Sequence, residues 1–220
     1  MNPENTAHHV GRLRMEYQRG ELDETQVPPN PWVLFEQWIT EAIRLEQPEP
    51  HAMHLSTLDR DGYPAGRVVL LRGYDERGLT FYTNYLSDKG AQLEAHPKAS
   101  VTFFWPLLER QIRISGEVAR VDEAESDAYF ESRPVESQLG AWASDQSRPM
   151  LSRDTLEQRM EECRTRFSSE RHVPRPPHWG GLRLLPRSFE FWQGRRSRLH
   201  DRLLYAPDAQ GGWNITRLYP

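Results

Sequence analysis

The feature that most restricts the fold is a series of short apolar segments joined by tight turns. Two of these turns, Asp59–Gly62 and Asp75–Gly78, end in glycine and separate Ala52–Leu58, Arg67–Arg72 and Leu79–Thr83. Parallel strands that neighbour each other need a crossover of roughly a dozen residues or more, which turns of this kind cannot provide. The sequence therefore predicts antiparallel strands.

The predicted helices are inserted between these strands. Asn30 followed by Pro31 is typical of a helix start, because asparagine caps free amide groups and proline fits the first turn. Asp122 and Glu125 form a capping-box pattern at the start of another helix, which Pro134 interrupts. Further elements are predicted at 9–19 and 153–167 as helices, and at 99–105, 109–121, 202–205 and 213–218 as strands. This alternation predicts one α+β domain with a barrel-like antiparallel sheet.

The composition argues against several classes of protein. A formal net charge of −4 and a pI near 6.1 disfavour an extended nucleic-acid surface, so we expect no nucleic-acid partner. No apolar run approaches the ~20 residues of a membrane span, so no membrane association is expected. Cys163 is the only cysteine, which predicts a cytoplasmic protein without an internal disulfide and a cysteine packed in the core. Neither a GxGxxG nor a GxxxxGK[ST] motif is present, and no metal-binding signature is found.

The strongest functional signal is the stretch FEFWQGRRSRLHDR, residues 189–202. Basic side chains recur in it at a spacing of two, at Arg196, Arg198, His200 and Arg202. In a continuing strand all four would point to one side. They would repel each other unless an anion lay between them, and the planar guanidinium group is suited to phosphate. The alternative interpretation is a solvated edge strand with surface salt bridges.

Further cationic residues are spread along the chain. Arg67 and Arg72 flank the apolar run 68–71, which we expect to be buried on both faces, and Lys89 follows a helix cap at Ser87. Because Arg67 and Arg72 are separated by an odd interval, both can serve one site only if the strand bends or ends near one of them. With Arg133 and the basic stretch, these residues exceed what one phosphomonoester needs. The sequence thus favours two phosphorylated ligands, one of which could be a cofactor.

These residues lie in motifs that resemble the pyridoxine/pyridoxamine 5′-phosphate oxidase family. The matching segments are LRMEY, RVVLLR, FYTN, ERQ, YFESRPVESQLGAW, DQS, WGG and FEFWQG…RLHDR, in the family's order from about residue 13 to the C-terminus. The resemblance implies a homodimeric split β-barrel of antiparallel strands with flanking helices, which binds FMN. It also implies oxidation of pyridoxine and pyridoxamine 5′-phosphates to pyridoxal 5′-phosphate, with O2 as acceptor and H2O2 as product.

The resemblance also implies roles for individual residues. FMN would be held by Arg67, Lys89 and Gln111 of one subunit, alongside Val68, Val69, Leu70, Leu71, Arg72, Tyr82 and Thr83. From the other subunit it would be reached by Gln146, Ser147, Trp192 and Arg202. The substrate phosphate would be bound by Tyr129, Arg133, Ser137 and Arg72, with the catalytic Arg198 and His200 at the pyridine ring. Arg14 and Tyr17 would belong to an N-terminal lid at 1–20, and 21–220 would form a single FMN-binding domain.

Three positions depart from the family's pattern. Arg72 stands where lysine is usual, Asp88 where a basic residue is expected, and Glu49 where an aspartate is expected. Arginine and lysine are not interchangeable at a phosphate, and a carboxylate cannot bind one directly. Two alternatives stay open. One is a non-catalytic flavin- or haem-binding split barrel that acts as a carrier or sensor, and the other is an enzyme of the same fold acting on another phosphorylated heterocycle.

Overall fold

The computed structural model describes residues 15–220. Its helices are α1 Pro31–Arg44, α2 Asp88–Ala95, α3 Glu123–Glu131, α4 Val135–Ala143 and α5 Arg153–Arg166. Its strands are β1 Ala52–Leu58, β2 Pro64–Leu70, β3 Gly73–Asp75, β4 Gly78–Asn84, β5 Lys98–Trp105, β6 Arg110–Arg120, β7 Trp179–Gln193, β8 Asp201–Pro207 and β9 Trp213–Leu218. Short 3-10 turns lie at Pro106–Leu108 and Arg196–Arg198. The predicted α+β class is confirmed.

The strands form one antiparallel sheet in the order β2-β1-β5-β6-β7-β4-β3, with β8 on β7 and β9 on β8. The 15-residue strand β7 organises this sheet, because β6 pairs along most of its length while β4 and β8 pair with its two ends. Its first half, from Trp179 to Leu184, pairs with β4. Its second half, from Phe189 to Gln193, pairs with β8. One long strand therefore connects two parts of the molecule.

The main core lies between the sheet and α1. Phe35 of α1 meets Phe103 of β5 edge-on, with 5.5 Å between the ring centres, and Trp38 meets Phe191 of β7 in the same way. A second, smaller cluster is formed by Phe130, Leu139, Val173 and Trp179. Cys163 is half-buried against this second cluster, so its predicted packing role is confirmed.

One predicted helix cap is confirmed and another is wrong. The Asn30 side chain accepts a hydrogen bond from the Trp32 amide at 2.9 Å, which starts α1 as expected. Asp122 stands at the start of α3, but its side chain makes no capping hydrogen bond. The capping-box partner Glu125 instead accepts two hydrogen bonds from Arg183 of β7, at 2.8 and 2.9 Å. An ion pair with a distant strand has replaced the local cap.

The apolar run in β2 is not buried on both faces. Val68 is 65% exposed, because β2 is the edge strand of the sheet. The strand ends at Leu70, between Arg67 and Arg72, so strand geometry does not force these two arginines onto opposite faces.

The predicted helix at 9–19 is also wrong for its described part, since 15–19 is not helical. Arg14 lies outside the described residues.

The basic stretch does not continue as a strand. β7 ends at Gln193, and Ser197 and Arg198 adopt left-handed φ angles of 56° and 62° within the 3-10 turn. The expectation that Arg196, Arg198, His200 and Arg202 share one strand face is therefore wrong. The backbone turn between β7 and β8 redirects Arg196 and Arg198, while Arg202 lies within β8 itself.

Among the helices of residues 15–220, none has the length and apolar character needed to span a membrane.

A glycine at the bulge between β6 and β7 provides a test of this sheet. The register shifts between Ser115 and Gly116, and a methyl group on Gly116 would overlap the Leu185 carbonyl oxygen. We expect Gly116→Ala to lower the free energy of unfolding by about 2–3 kcal/mol, because backbone atoms must move. Gly73→Ala is the control, since a methyl group there meets no atom of the described residues within 4 Å. Equal urea midpoints for the two variants would contradict the close approach.

Candidate functional site

A cavity of about 300 Å³ lies where β2 and β4 approach α3 and the loop after α4, and we call it the cationic pocket. It is lined by Val68, Val69, Leu70, Arg72, Tyr82, Thr83, Lys89, Tyr129, Arg133, Gln146 and Trp179. Ten of these eleven residues were predicted to bind a cofactor or a substrate phosphate, and they come from segments far apart in the sequence. Trp179 was missed, although it lies in the WGG segment. The fold thus brings the two predicted groups of ligand-binding residues into one cavity.

Arg133 is the most unusual group in the cationic pocket. Its Nη1 atom is buried and has no hydrogen-bond partner among the described residues. Its guanidinium carbon lies 4.5 Å from the centre of the Trp179 ring. Burial lowers the pKa of Arg133, and the nearby Arg72 also lowers it. A buried guanidinium N–H group without an acceptor is costly, and a bound anion would remove that cost.

A flat aromatic wall supports this arginine. The rings of Tyr82 and Tyr129 stack with centres 3.8 Å apart, and Trp179 lies nearly parallel to Tyr82 at 5.5 Å. Burial raises the pKa of Tyr82 to about 12, so its hydroxyl stays protonated at neutral pH. The wall therefore offers apolar faces together with a neutral hydroxyl donor.

Lys89 and Gln146 also line the cationic pocket, and they contact each other directly. Lys89 Nζ donates to Gln146 Oε1 at 2.7 Å, and Thr83 Oγ1 donates to the same oxygen at 3.2 Å. Burial lowers the pKa of Lys89, and the proximity of Arg67 lowers it further. Ser87 caps α2 as predicted, accepting from the Gly90 amide at 3.3 Å. Lys89 therefore has a neutral partner and keeps its charge available for an anion.

Arg67 is held by two neutral side chains that sequence reasoning missed. Its Nη2 donates to Gln92 Oε1 at 2.8 Å, and its Nη1 donates to the buried Thr57 hydroxyl. Burial lowers the pKa of Arg67, while Asp88 acts in the opposite direction. Because neither hydrogen-bond partner is an acid, most of the guanidinium charge is not neutralised. No local sequence signal marks Thr57 or Gln92, since they are joined to Arg67 only by the fold.

Tyr17, Trp192 and His200 form a second group, which we call the ring cluster. Tyr17 lies edge-on to Trp192 at 5.6 Å and to His200 at 5.7 Å, and Trp192 and His200 are 4.6 Å apart. His200 Nδ1 accepts from the Arg195 amide at 3.1 Å. Burial lowers the pKa of His200, and Arg198 also lowers it. A neutral imidazole that accepts at Nδ1 carries its proton on Nε2, so it presents a donor to a ligand.

Gln111 and Arg202 belong with the ring cluster, because both pair with Trp192 in the sheet register. Arg202 also contacts Glu190, with 2.9 Å between Nη2 and Oε1, and Glu190 is only 4% exposed. Gln146, in contrast, contacts Lys89 of its own chain. Within one chain Gln146 thus lies with Lys89 and Gln111 lies with Trp192, and the subunit from which each would reach a cofactor stays a prediction.

Apart from the ring cluster with Gln111, Arg198 and Arg202, four predicted residues of the described chain do not line the cationic pocket. They are Arg67, Leu71, Ser137 and Ser147. Leu71 is buried in the core, and Ser137 is exposed at the start of α4. Asp88 pairs with Arg148 at 3.5 Å, which fits its exclusion as a phosphate ligand.

The cationic pocket and the ring cluster lie at opposite ends of β7, because Trp179 belongs to the pocket and Trp192 to the cluster. A 15-residue strand extends about 45 Å when straight, which separates the two groups along one chain.

Comparison with known proteins identifies the family. Residues 39–167 match the model of the pyridoxamine 5′-phosphate oxidase family, and residues 179–220 match that of the pyridoxine 5′-phosphate oxidase C-terminal dimerisation region. A pyridoxine/pyridoxamine 5′-phosphate oxidase of Bordetella pertussis is 54% identical over 211 residues, covering 96% of this chain and 99% of that protein. One of Cupriavidus necator is 53% identical over 208 residues, covering 94% and 97%.

Solved structures agree with this assignment. PhzG from Burkholderia lata 383, in complex with tetrahydrophenazine-1-carboxylic acid, has a TM-score of 0.83 and 33% identity, covering 90% of this chain and 98% of that one. A pyridoxamine 5′-phosphate oxidase-related, FMN binding protein from Nostoc punctiforme has a TM-score of 0.67 at 20% identity, covering 89% and 99%, which shows a shared fold. The predicted split β-barrel is thereby confirmed. On the matched motifs, the two family models and relatives that share more than half of its residues, this chain belongs to the pyridoxamine 5′-phosphate oxidase family.

Proposed function

We propose that the protein is an FMN-dependent oxidase that converts pyridoxine 5′-phosphate and pyridoxamine 5′-phosphate to pyridoxal 5′-phosphate, with O2 as acceptor and H2O2 as product. The observation that carries the proposal is the buried Nη1 of Arg133, which lacks a partner among the described residues and lies in a pocket with Arg72. Such a group favours a dianionic phosphate. The names of the curated relatives support the same substrates.

The residues of the chain fit FMN. Within residues 15–220, the side chains that accept hydrogen bonds from Arg67 and Lys89 are all neutral, which suits these two cations to the phosphate of the cofactor. The aromatic wall and the backbone of β2 would lie beside the ring system. Gln146, with Ser147 next to it in the sequence, would bind from the same chain as Lys89, and not from the second subunit. Bound FMN would supply hydride acceptance and reoxidation by O2, which side chains alone cannot supply.

We infer that the working site forms across a homodimer. The cationic pocket and the ring cluster lie at opposite ends of β7 in one chain, so a second copy would have to bring Gln111, Trp192 and Arg202 to the first copy's pocket. The match of residues 179–220 to a dimerisation region supports this arrangement.

In this proposal the substrate is held at both ends. Arg133, Arg72, Tyr129 and Ser137 would bind its phosphate, and this fixes the 4′ carbon relative to the flavin. Arg198 and the ring cluster's His200 would contact the pyridine ring, and Tyr17, with Arg14, would cover it. Because His200 Nδ1 already accepts from Arg195, we assign His200 as a hydrogen-bond donor that orients the substrate and not as the proton acceptor.

The similarity to PhzG favours a second candidate, oxidation of a reduced tricyclic carboxylate. Such a substrate would also bring an anion to Arg133 but would leave the other cations in the pocket less well compensated. The number of cationic groups therefore favours the phosphorylated substrate.

The test is a substrate comparison with the purified protein. We expect a yellow protein with a flavin spectrum that releases H2O2 with pyridoxine 5′-phosphate in air, and at least about 100-fold less efficiently with pyridoxine, which lacks the phosphate. A protein that binds flavin but turns over neither phosphorylated substrate would favour the carrier alternative. Faster turnover of a reduced phenazine carboxylate would favour the second candidate. A protein that takes up no FMN would refute the proposal.

Arg202→Ala provides a test of the cofactor assignment. We expect FMN to bind about tenfold more weakly, because one charge-assisted contact is lost and Glu190 keeps only its ion pair with Arg113. The control is Arg153→Ala, which removes the same charge from an exposed position on α5. Equilibrium dialysis against FMN measures both. Unchanged FMN affinity in Arg202→Ala would remove Arg202 from the site.

A further inference from the structure

Glu109 is a buried acid with no part in the chemistry proposed above. It follows the 3-10 turn Pro106–Leu108, adopts a left-handed φ of 55° and is only 7% exposed. An ionised carboxylate at such a position must be satisfied by hydrogen bonds, because burial removes its water. The groups that donate hydrogen bonds to Glu109 therefore indicate its structural role.

The Glu109 carboxylate binds the backbone of the N-terminal segment. Its Oε2 atom accepts from the amide of Gln18 at 2.7 Å and from the amide of Arg19 at 2.9 Å. Hydrogen bonds from backbone amides to a carboxylate are charge-assisted and stronger than those between neutral groups. Glu109 lies 91 positions from Gln18 and 90 from Arg19 in the sequence, so the contact is made by the fold alone.

Glu109 also holds the turn that follows β7. Its carbonyl oxygen accepts from the Gly194 amide at 2.7 Å. Gly194 in turn lies against Tyr17, since a Cβ atom added to Gly194 would be 2.6 Å from Tyr17 Cγ. Glu109 thus binds both the segment that follows Tyr17 and the turn at Gly194. The contact between this segment and this turn places Tyr17 in the ring cluster.

We propose that Glu109 is a positioning residue, whose carboxylate fixes the backbone directly after Tyr17 and so keeps the Tyr17 ring against Trp192 and His200. The segment has a second, separate anchor farther along, where the Leu22 amide donates to Asp201 Oδ2 at 3.1 Å. Loss of the Glu109 contact therefore loosens the Tyr17 end of the segment and leaves Leu22 in place. The kinetic consequence of this role rests on the proposed function, whereas the anchoring does not.

The experiment compares the full-length wild-type protein with Glu109→Gln and with Glu16→Gln, which removes the same charge from an exposed position beside Tyr17. Amide hydrogen exchange is followed at Gln18, Arg19 and Leu22, together with nuclear Overhauser contacts between the Tyr17 and Trp192 rings. In Glu109→Gln we expect about tenfold faster exchange at Gln18 and Arg19, unchanged exchange at Leu22 and weaker ring contacts. Glu16→Gln should match the wild type in all of these measurements.

The kinetic measurement is made on the same FMN-loaded proteins. In Glu109→Gln we expect the KM for pyridoxine 5′-phosphate to rise about tenfold, with kcat and FMN content within about twofold of wild type, since only the covering of the substrate is affected. A general structural defect would instead lower FMN content and speed exchange at Leu22, which would overturn the proposal.

Two further results would also overturn it. The first is exchange at Gln18 and Arg19 that is as fast as at Glu16 in the wild-type protein, a measurement that needs no variant to fold. The second is faster exchange in Glu109→Gln with unchanged ring contacts. A wild-type protein that is inactive on both phosphorylated substrates would refute the proposed function alone, because the exchange and ring-contact results would still decide the anchoring.

Discussion

Replacing Arg133 with methionine is expected to lower kcat/KM for pyridoxine 5′-phosphate by at least about 100-fold. Two charge-assisted hydrogen bonds to the substrate phosphate would be lost, each of which contributes about 1.5–3 kcal/mol. The loss should appear mainly in KM if the phosphate contact is equally strong in the ground and transition states. Steady-state peroxide release measures both constants.

The same variant has a second expected result that separates lost binding from lost folding. Arg133 Nη1 is buried without a partner among the described residues, so the free protein carries an uncompensated cost that methionine removes. The melting temperature of Arg133→Met should therefore equal or exceed that of the wild type. With unphosphorylated pyridoxine as substrate, kcat/KM of the variant and of the wild type should differ by less than about threefold. This substrate has no phosphate, so the contact with Arg133 is absent in both proteins. An equal loss with both substrates would contradict the phosphate role.

Arg198→Ala is expected to keep FMN but to lose roughly 30- to 1000-fold in kcat/KM, equivalent to about 2–4 kcal/mol of transition-state stabilisation. Arg198 is exposed in one chain and adopts a left-handed φ of 62°, a conformation that costs energy for a residue with a side chain. The turn therefore holds Arg198 in a conformation that arginine does not favour by itself. The variant is assayed by peroxide release, with Arg187→Ala, at an exposed position of β7, as the control.

A titration of His200 tests the same assignment without turnover. Arg198 and burial both lower the pKa of His200, so the neutral imidazole is favoured in the folded protein. Removing the arginine takes away one of these causes, and the pKa should rise toward the ordinary value for histidine. Nuclear magnetic resonance of the His200 ring protons across pH 5–8 follows this change. Wild-type kinetics in Arg198→Ala, or an unchanged His200 titration, would place Arg198 outside the ring cluster's chemistry.

The proposed site across two copies can be tested by mixing two such variants. Because Arg133 lies in the cationic pocket and Arg198 follows the opposite end of β7, the proposal places them in different subunits of one working site. A mixture of the Arg133→Met and Arg198→Ala proteins that exchanges subunits should then regain one intact site per heterodimer. Activity of the mixture above the sum of the separate variants is the expected result.

Local chemistry in the sequence was enough to predict several elements. Asn30 followed by Pro31 starts α1, and the glycine-containing turns produce antiparallel neighbours, because these preferences depend on a few adjacent residues. The motifs likewise predicted the family and ten of the eleven residues that line the cationic pocket. Two predictions that took no account of distant partners were wrong. Glu125 pairs with Arg183 in place of the predicted cap, and Val68 is exposed because β2 lies at the sheet's edge.

The amino-acid sequence by itself determined the antiparallel α+β class, the family and most of the chemical groups that a phosphorylated ligand would meet. Only the tertiary structure decided how these groups are combined. The register of β6 on β7 places Gln111 beside Trp192, and the approach of the 144–149 loop to α2 places Gln146 on Lys89. It also leaves the buried Nη1 of Arg133 without a hydrogen-bond partner in the described part of the chain and ties the N-terminal segment to Glu109. The physical reason is that strand register and the burial of charge are set by contacts between residues far apart in the chain, which no local pattern records.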